Sequence, residues 1–182
     1  KSAQEIRSLD LRDTDVSDEA IKQLAKLRNL TKLDLQNTKV TDKGLKELAR
    51  LTKLTELALS ESQLSDATLR VLREIGLLHC LNQDSGGKRP KSAEEMTALS
   101  LWRSPVTDEG LRELAGLRNL TWLDLRDTHV TDAGLEHLKG LTQLQTLHLS
   151  GSQVTDAGLE HLKALTQLQS LGLENASVTD AG

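Results

Sequence analysis

Few residues of this chain are equipped for chemistry, and most of those point to recognition. Trp102 and Trp122 are its only aromatic side chains in 182 residues. Arg103, Asp124, Arg126 and His148 fall near them in a repeated frame, so one ligand could touch the whole group. Tryptophan and arginine are over-represented at the energetic centres of protein interfaces. An opposing possibility is that arginines merely cover the rings through cation–π contacts.

Catalytic and metal-binding patterns are weak. Cys80 stands beside His79, but on a strand such neighbours point to opposite faces and form no nucleophile–base pair. His137 and His161 occupy the same slot of successive Leu-Glu-His-Leu segments, about 10 Å apart on adjacent helices. A single zinc ion needs ligands at about 2.0–2.1 Å. Asp10, Asp34 and Asp124 are expected to be solvated strand carboxylates rather than an acid–base pair. No catalytic residue, cofactor or metal is expected.

These side chains are placed by a recurring phrase, L-x-x-L-x-L-x-x-[TS]-x-[VL]-[TS]-D. It runs over Ile6–Asp18, Leu30–Asp42, Leu54–Asp66, Met96–Asp108, Leu120–Asp132, Leu144–Asp156 and Leu168–Asp180. A fixed period in the twenties signals a stacked solenoid. In each unit the alternation of Leu33 and Leu35 suits a short strand. Leu45, Leu48 and Leu51, at steps of three, suit a short helix. Thr41-Asp42 precedes that helix, where a hydroxyl caps free N–H groups and an aspartate favours the positive helix end. Gly44, Gly110, Gly134 and Gly158 share one helical slot with Ala20 and Thr68. A small residue there predicts close approach to a neighbouring unit. Strands stack at about 4.8 Å and helices at about 8–10 Å, so the array bends with its strands on the concave side.

With this phrase the chain resembles leucine-rich repeat proteins, and most nearly their ribonuclease-inhibitor-like and cysteine-containing subclasses, in the bacterial 24-residue form with [TS]-D-x-G-L. The resemblance implies an α/β solenoid, a horseshoe or arc with a parallel sheet inside and short helices outside. It also implies binding of a protein or peptide through the concave face. The usual Asn or Cys of the family is here Thr14, Thr38, Ser62, Ser104, Thr128, Ser152 or Ala176. The hydroxyls can still bond the turning backbone; Ala176 cannot, so a looser last turn is expected.

A second symmetry, of 90 residues, matches Lys1-Ser-Ala-Gln-Glu5 to Lys91-Ser-Ala-Glu-Glu95. It sets Leu78 as the start of an eighth strand, giving strand starts at 6, 30, 54, 78, 96, 120, 144 and 168 in a single solenoid spanning 1–182. The irregular unit 78–95 is short. Gly87 and Pro90 fall in its helical slots, which argues that its helix is missing. Residues 84–91 read as an irregular outer connection, as a duplication scar, a hinge or a docking loop. Ser92-x-x-Glu95 is a candidate capping box.

The concave positions carry varied polar residues, as a recognition surface requires. The net charge of −4, without a basic stripe, argues against a nucleic-acid partner. No run of about 18 apolar residues suggests a membrane span. A lone cysteine forms no intrachain disulfide and leans weakly toward a cytoplasmic setting. The expected function is protein–protein interaction without enzymatic activity, the alternative being the targeting part of a larger enzyme such as a ubiquitin ligase, kinase or secreted effector. Exposed solenoid ends would favour end-to-end self-association.

Overall fold

The computed structural model describes residues 5–81 and 89–180. Among the described residues, seven three-residue strands alternate with six short helices. The strands are β1 (Ser8–Asp10), β2 (Lys32–Asp34), β3 (Glu56–Ala58), β4 (Ala98–Ser100), β5 (Trp122–Asp124), β6 (Thr146–His148) and β7 (Ser170–Gly172). The helices are α1 (Asp18–Leu24), α2 (Asp42–Glu47), α3 (Asp66–Glu74), α4 (Asp108–Arg112), α5 (Asp132–Leu135) and α6 (Asp156–Leu162). The result is an α/β leucine-rich repeat solenoid.

All strand pairs are parallel, with Ser8 beside Lys32 and Trp122 beside Thr146, a register of 24 residues. Period-2 alternation turns one leucine per strand inward. Leu33, Leu57, Leu99, Leu123 and Leu147 are buried in one column. The helix leucines close the core from the other side, where Leu111 of α4 and Leu135 of α5 have no exposed surface. Each buried leucine contributes roughly 1.5–3 kcal/mol, and only stacked neighbours make that burial possible.

Helix starts follow the threonine signal. Thr41, Thr107, Thr131 and Thr155 are extended N-cap residues whose hydroxyls accept from the N–H two residues on. The following aspartates are more than caps of their own helices, because they reach into the next unit. Asp108 accepts from the Thr131 N–H at 2.8 Å and its hydroxyl at 2.7 Å. Asp132 does the same with Thr155 at 2.8 and 2.6 Å. The glycine slot exists for this carboxylate: a Cβ on Gly44, Gly110, Gly134 or Gly158 would collide with Oδ1 of Asp18, Asp66, Asp108 or Asp132. Thr68, in the same slot, instead donates its hydroxyl to Asp42 at 2.8 Å.

The hydroxyl after β1, β2, β4 and β5 bonds locally, whereas that of Ser152 after β6 is buried without a partner. Thr14, Thr38, Ser104 and Thr128 donate to the carbonyl three residues back, at 2.6–2.7 Å. Ala176 has no hydroxyl, yet its N–H bonds Leu173 O at 3.0 Å, so the turn keeps its backbone bond.

The eighth strand expected from Leu78 is replaced by a buried 3-10 helix, Leu78–Leu81. The strands accordingly form a three-stranded sheet, β1-β2-β3, and a four-stranded sheet, β4-β5-β6-β7. Of the expected connection 84–91, residues 84–88 lie outside the described residues. A 3-10 turn at Ala93–Glu95 follows, but Ser92 makes no cap bond to it. Glu95 reaches past Ser92 to accept from the Lys91 N–H at 2.9 Å, so the capping box does not form.

Candidate functional site

The concave face of the four-stranded sheet gathers the residues singled out by type. Trp122 and Asp124 lie on β5 and His148 on β6, directly beside Asp124 in register. Trp102 and Arg103 follow β4, and Arg126 follows β5.

Asp124 is the buried anchor, 1% exposed, against the expectation of a solvated carboxylate. It is buried because Arg126 folds back over it. The Arg126 Nε donates to Asp124 Oδ1 at 2.9 Å and Nη2 to Oδ2 at 2.6 Å, while the Arg126 N–H donates to Oδ1 at 3.1 Å. This two-pronged fork satisfies the carboxylate and fixes the guanidinium plane. The bonds to Asp124 raise the Arg126 pKa above its ordinary value. Asp10 and Arg12, in the same sequence Leu-Asp-Leu-Arg-Asp-Thr, form an exposed version of the fork. Asp34 is only partly buried, and the Arg12 Nε lies 3.9 Å from it.

From this anchor the contacts spread in two directions. The Arg126 guanidinium carbon lies 5.8 Å from the Trp102 ring centroid, and that of Arg103 lies 5.1 Å away. The arginine cover of the opposing reading is therefore present over Trp102. Its indole remains 38% exposed. On the other side, Trp122 meets the His148 ring edge-on, centroids 6.1 Å apart. His148 leans over β7, where a Cβ on Gly172 would lie 3.0 Å from its Nδ1. The six residues thus form one contact chain: Arg103, Trp102, Arg126, Asp124 and, across the strand register, His148 and Trp122.

Asp127 belongs with them, though its residue type and spacing did not single it out. It accepts from the Trp102 Nε1–H at 3.2 Å and lies 3.7 Å from Arg103 Nε. It occupies the eighth position of its unit, where the backbone turns left-handed. Asp13, Asn37, Arg103, Asp127 and Asn175 all have φ of 54–58° there, and Gly151 has 71°. Asp, Asn and Gly tolerate this conformation. Arg103 is the exception, a long side chain held in a strained turn beside Trp102.

Cys80 and His79 depart from the expected arrangement. On a 3-10 turn rather than a strand, Cys80 Sγ and His79 Nε2 come within 3.6 Å. Burial pushes the Cys80 thiol up to about 12, which removes its nucleophilic thiolate at neutral pH. Among the described residues there is no cluster of three or more side chains suited to a metal ion. None of their helices is long and apolar enough to cross a membrane.

Two family models, both described as leucine-rich repeat, match residues 112–177 and residues 4–25 and 26–49. No curated protein sequence matches the chain significantly. Among solved structures, an internalin (inlF) of Listeria monocytogenes aligns over 98% of this chain with a TM-score of 0.58 and 21% identity. The chain spans 51% of that protein's length. Internalin C2 of the same organism aligns over 98% of this chain and 75% of its own length, with a TM-score of 0.62 and 25% identity. Repeat register, sheet and helix layers, two partial family models and structural likeness together support a leucine-rich repeat protein.

Proposed function

We propose that the chain is a protein-interaction module that grips a protein or peptide on its concave face, centred on Trp102, Trp122, Arg103, Asp124, Arg126 and His148. One observation carries this reading: an exposed indole is held among side chains that are already fixed. Trp102 and Leu171 are the exposed large hydrophobic residues of the described chain. Leu171 lies on the edge strand β7, whereas Trp102 is braced by two guanidinium groups and a carboxylate. An anchor ordered before binding loses less side-chain freedom when a partner arrives. The test is affinity capture with the intact chain, repeated with Trp102→Ala and Trp122→Ala together. Loss of captured partner supports the patch; undiminished capture by the double variant rejects it.

A further inference from the structure

The break in the sheet has no counterpart among the helices. Helix α3 packs directly on α4, as α4 packs on α5. The aspartate–threonine rung is also unbroken. Asp66 accepts from the Thr107 N–H at 2.9 Å and its hydroxyl at 2.7 Å, the same pair of bonds that Asp108 makes to Thr131. Only the sequence separation differs. It is 41 residues at this rung and 23 at the next, an excess of 18 (41 − 23), which is the length of unit 78–95. Arg73 adds a staple across the junction, donating to the carbonyls of Arg112, Glu113 and Ala115 at the end of α4. Arg70 pairs with Glu113 at 3.4 Å.

On the strand side the unit occupies a layer of its own. Its four residues Leu78–Leu81 are buried against β3. The Cys80 thiol donates to Leu54 O at 3.3 Å, and Arg89 lies 3.3 Å from Glu56. Farther along, the Glu94 carbonyl accepts from Asn119 Nδ2 at 2.7 Å, tying the unit to the following repeat. A cleft of about 320 Å³ opens beside it, with Ala58 of β3 and Ser100 of β4 both in its lining.

We infer that the described parts of this unit, residues 78–81 and 89–95, form a wedge inserted only into the concave layer, with no α-helix among them between α3 and α4, which flattens the arc and divides its inner face into two panels. An ordinary step bends the solenoid because strands stack at about 4.8 Å and helices at about 8–10 Å. With one extra strand-side layer and no extra helix, the two sides advance by nearly equal amounts at this step. The staples on the helix side make it a rigid wedge rather than a hinge. The tryptophan cluster then sits wholly on the second panel, beyond the wedge, whether or not that cluster binds a partner.

Disulfide trapping in a Cys80→Ser background tests the wedge. A disulfide requires Cα atoms within about 4.4–6.8 Å. On the helix side, Asp66→Cys with Gly110→Cys should close readily, because Asp66 Cγ lies 3.3 Å from the Cβ position of residue 110. On the strand side, Ala58→Cys with Ser100→Cys should stay open in the full chain. Closure of the strand-side pair in the full chain, or failure of the helix-side pair, overturns the inference. Deleting residues 78–95 should bring Ala58 and Ser100 into direct register, and the strand-side pair should then close. A folded deletion variant in which it stays open also overturns the inference. If the deletion variant does not fold, the two full-length pairs decide the matter alone.

Discussion

At the scale of single residues, the Asp124–Arg126 fork is the feature on which the candidate site depends. Replacing Asp124 by alanine frees the guanidinium and removes its brace over Trp102. Hydrogen bonds to charged groups contribute roughly 1.5–3 kcal/mol, so Asp124→Ala should lower stability by about 1–3 kcal/mol. It should also weaken partner capture beyond that loss. Urea denaturation checks the first effect, and an unchanged midpoint would show that the fork contributes nothing. That the six candidate residues share one face was legible from type and frame, because the repeat states which positions face the same way. The burial of Asp124 was not, since it depends on the rotamer of Arg126. Asp127 escaped notice for a related reason: its role follows from a left-handed turn that only the folded backbone reveals.

At the scale of elements, the rung of aspartate, threonine and glycine determines how units join. Alanine in place of glycine normally favours a helix by about 1 kcal/mol. Gly134→Ala should do the reverse, because its Cβ would displace the Asp108 carboxylate. Overpacking of this kind costs about 1–3 kcal/mol. A higher midpoint for Gly134→Ala in thermal unfolding would refute the assignment of that slot to the carboxylate. The demand for a small residue was readable from Gly44, Gly110, Gly134 and Gly158. The group that imposes it was not, because each aspartate serves a helix other than its own. Likewise the apolar spacing around Leu78 resembled a strand, but no α-helix of this unit is found among its described residues to hold such a strand in place. Its residues turn into a 3-10 helix instead.

At the scale of the molecule, two rung carboxylates, Asp18 and Asp156, together with Asp10 of the exposed fork, make stability depend on pH. Burial pushes Asp18 up, but bonds from the Thr41 N–H and hydroxyl and the Gly44 N–H outweigh it, and the net pKa is lowered. Asp156 is lowered by the Thr179 hydroxyl and N–H, and Asp10 by Arg12. Each group therefore holds its proton more weakly when folded than when unfolded. Its stabilising contribution is full above the ordinary carboxylate value of 3.8 and is lost as pH falls through the lower folded value. The melting temperature should stay level between about pH 7 and 5 and fall below about pH 4. A profile that remains level to pH 2 would exclude Asp10, Asp18 and Asp156 as sources of this pH-dependent stability. The wedge adds a last consequence. Cys80 is the only thiol of the chain and belongs to the buried part of the wedge, where it donates to the Leu54 carbonyl just before β3. Its rate of alkylation is therefore a built-in clock, ticking only when that one junction opens and silent to motion elsewhere.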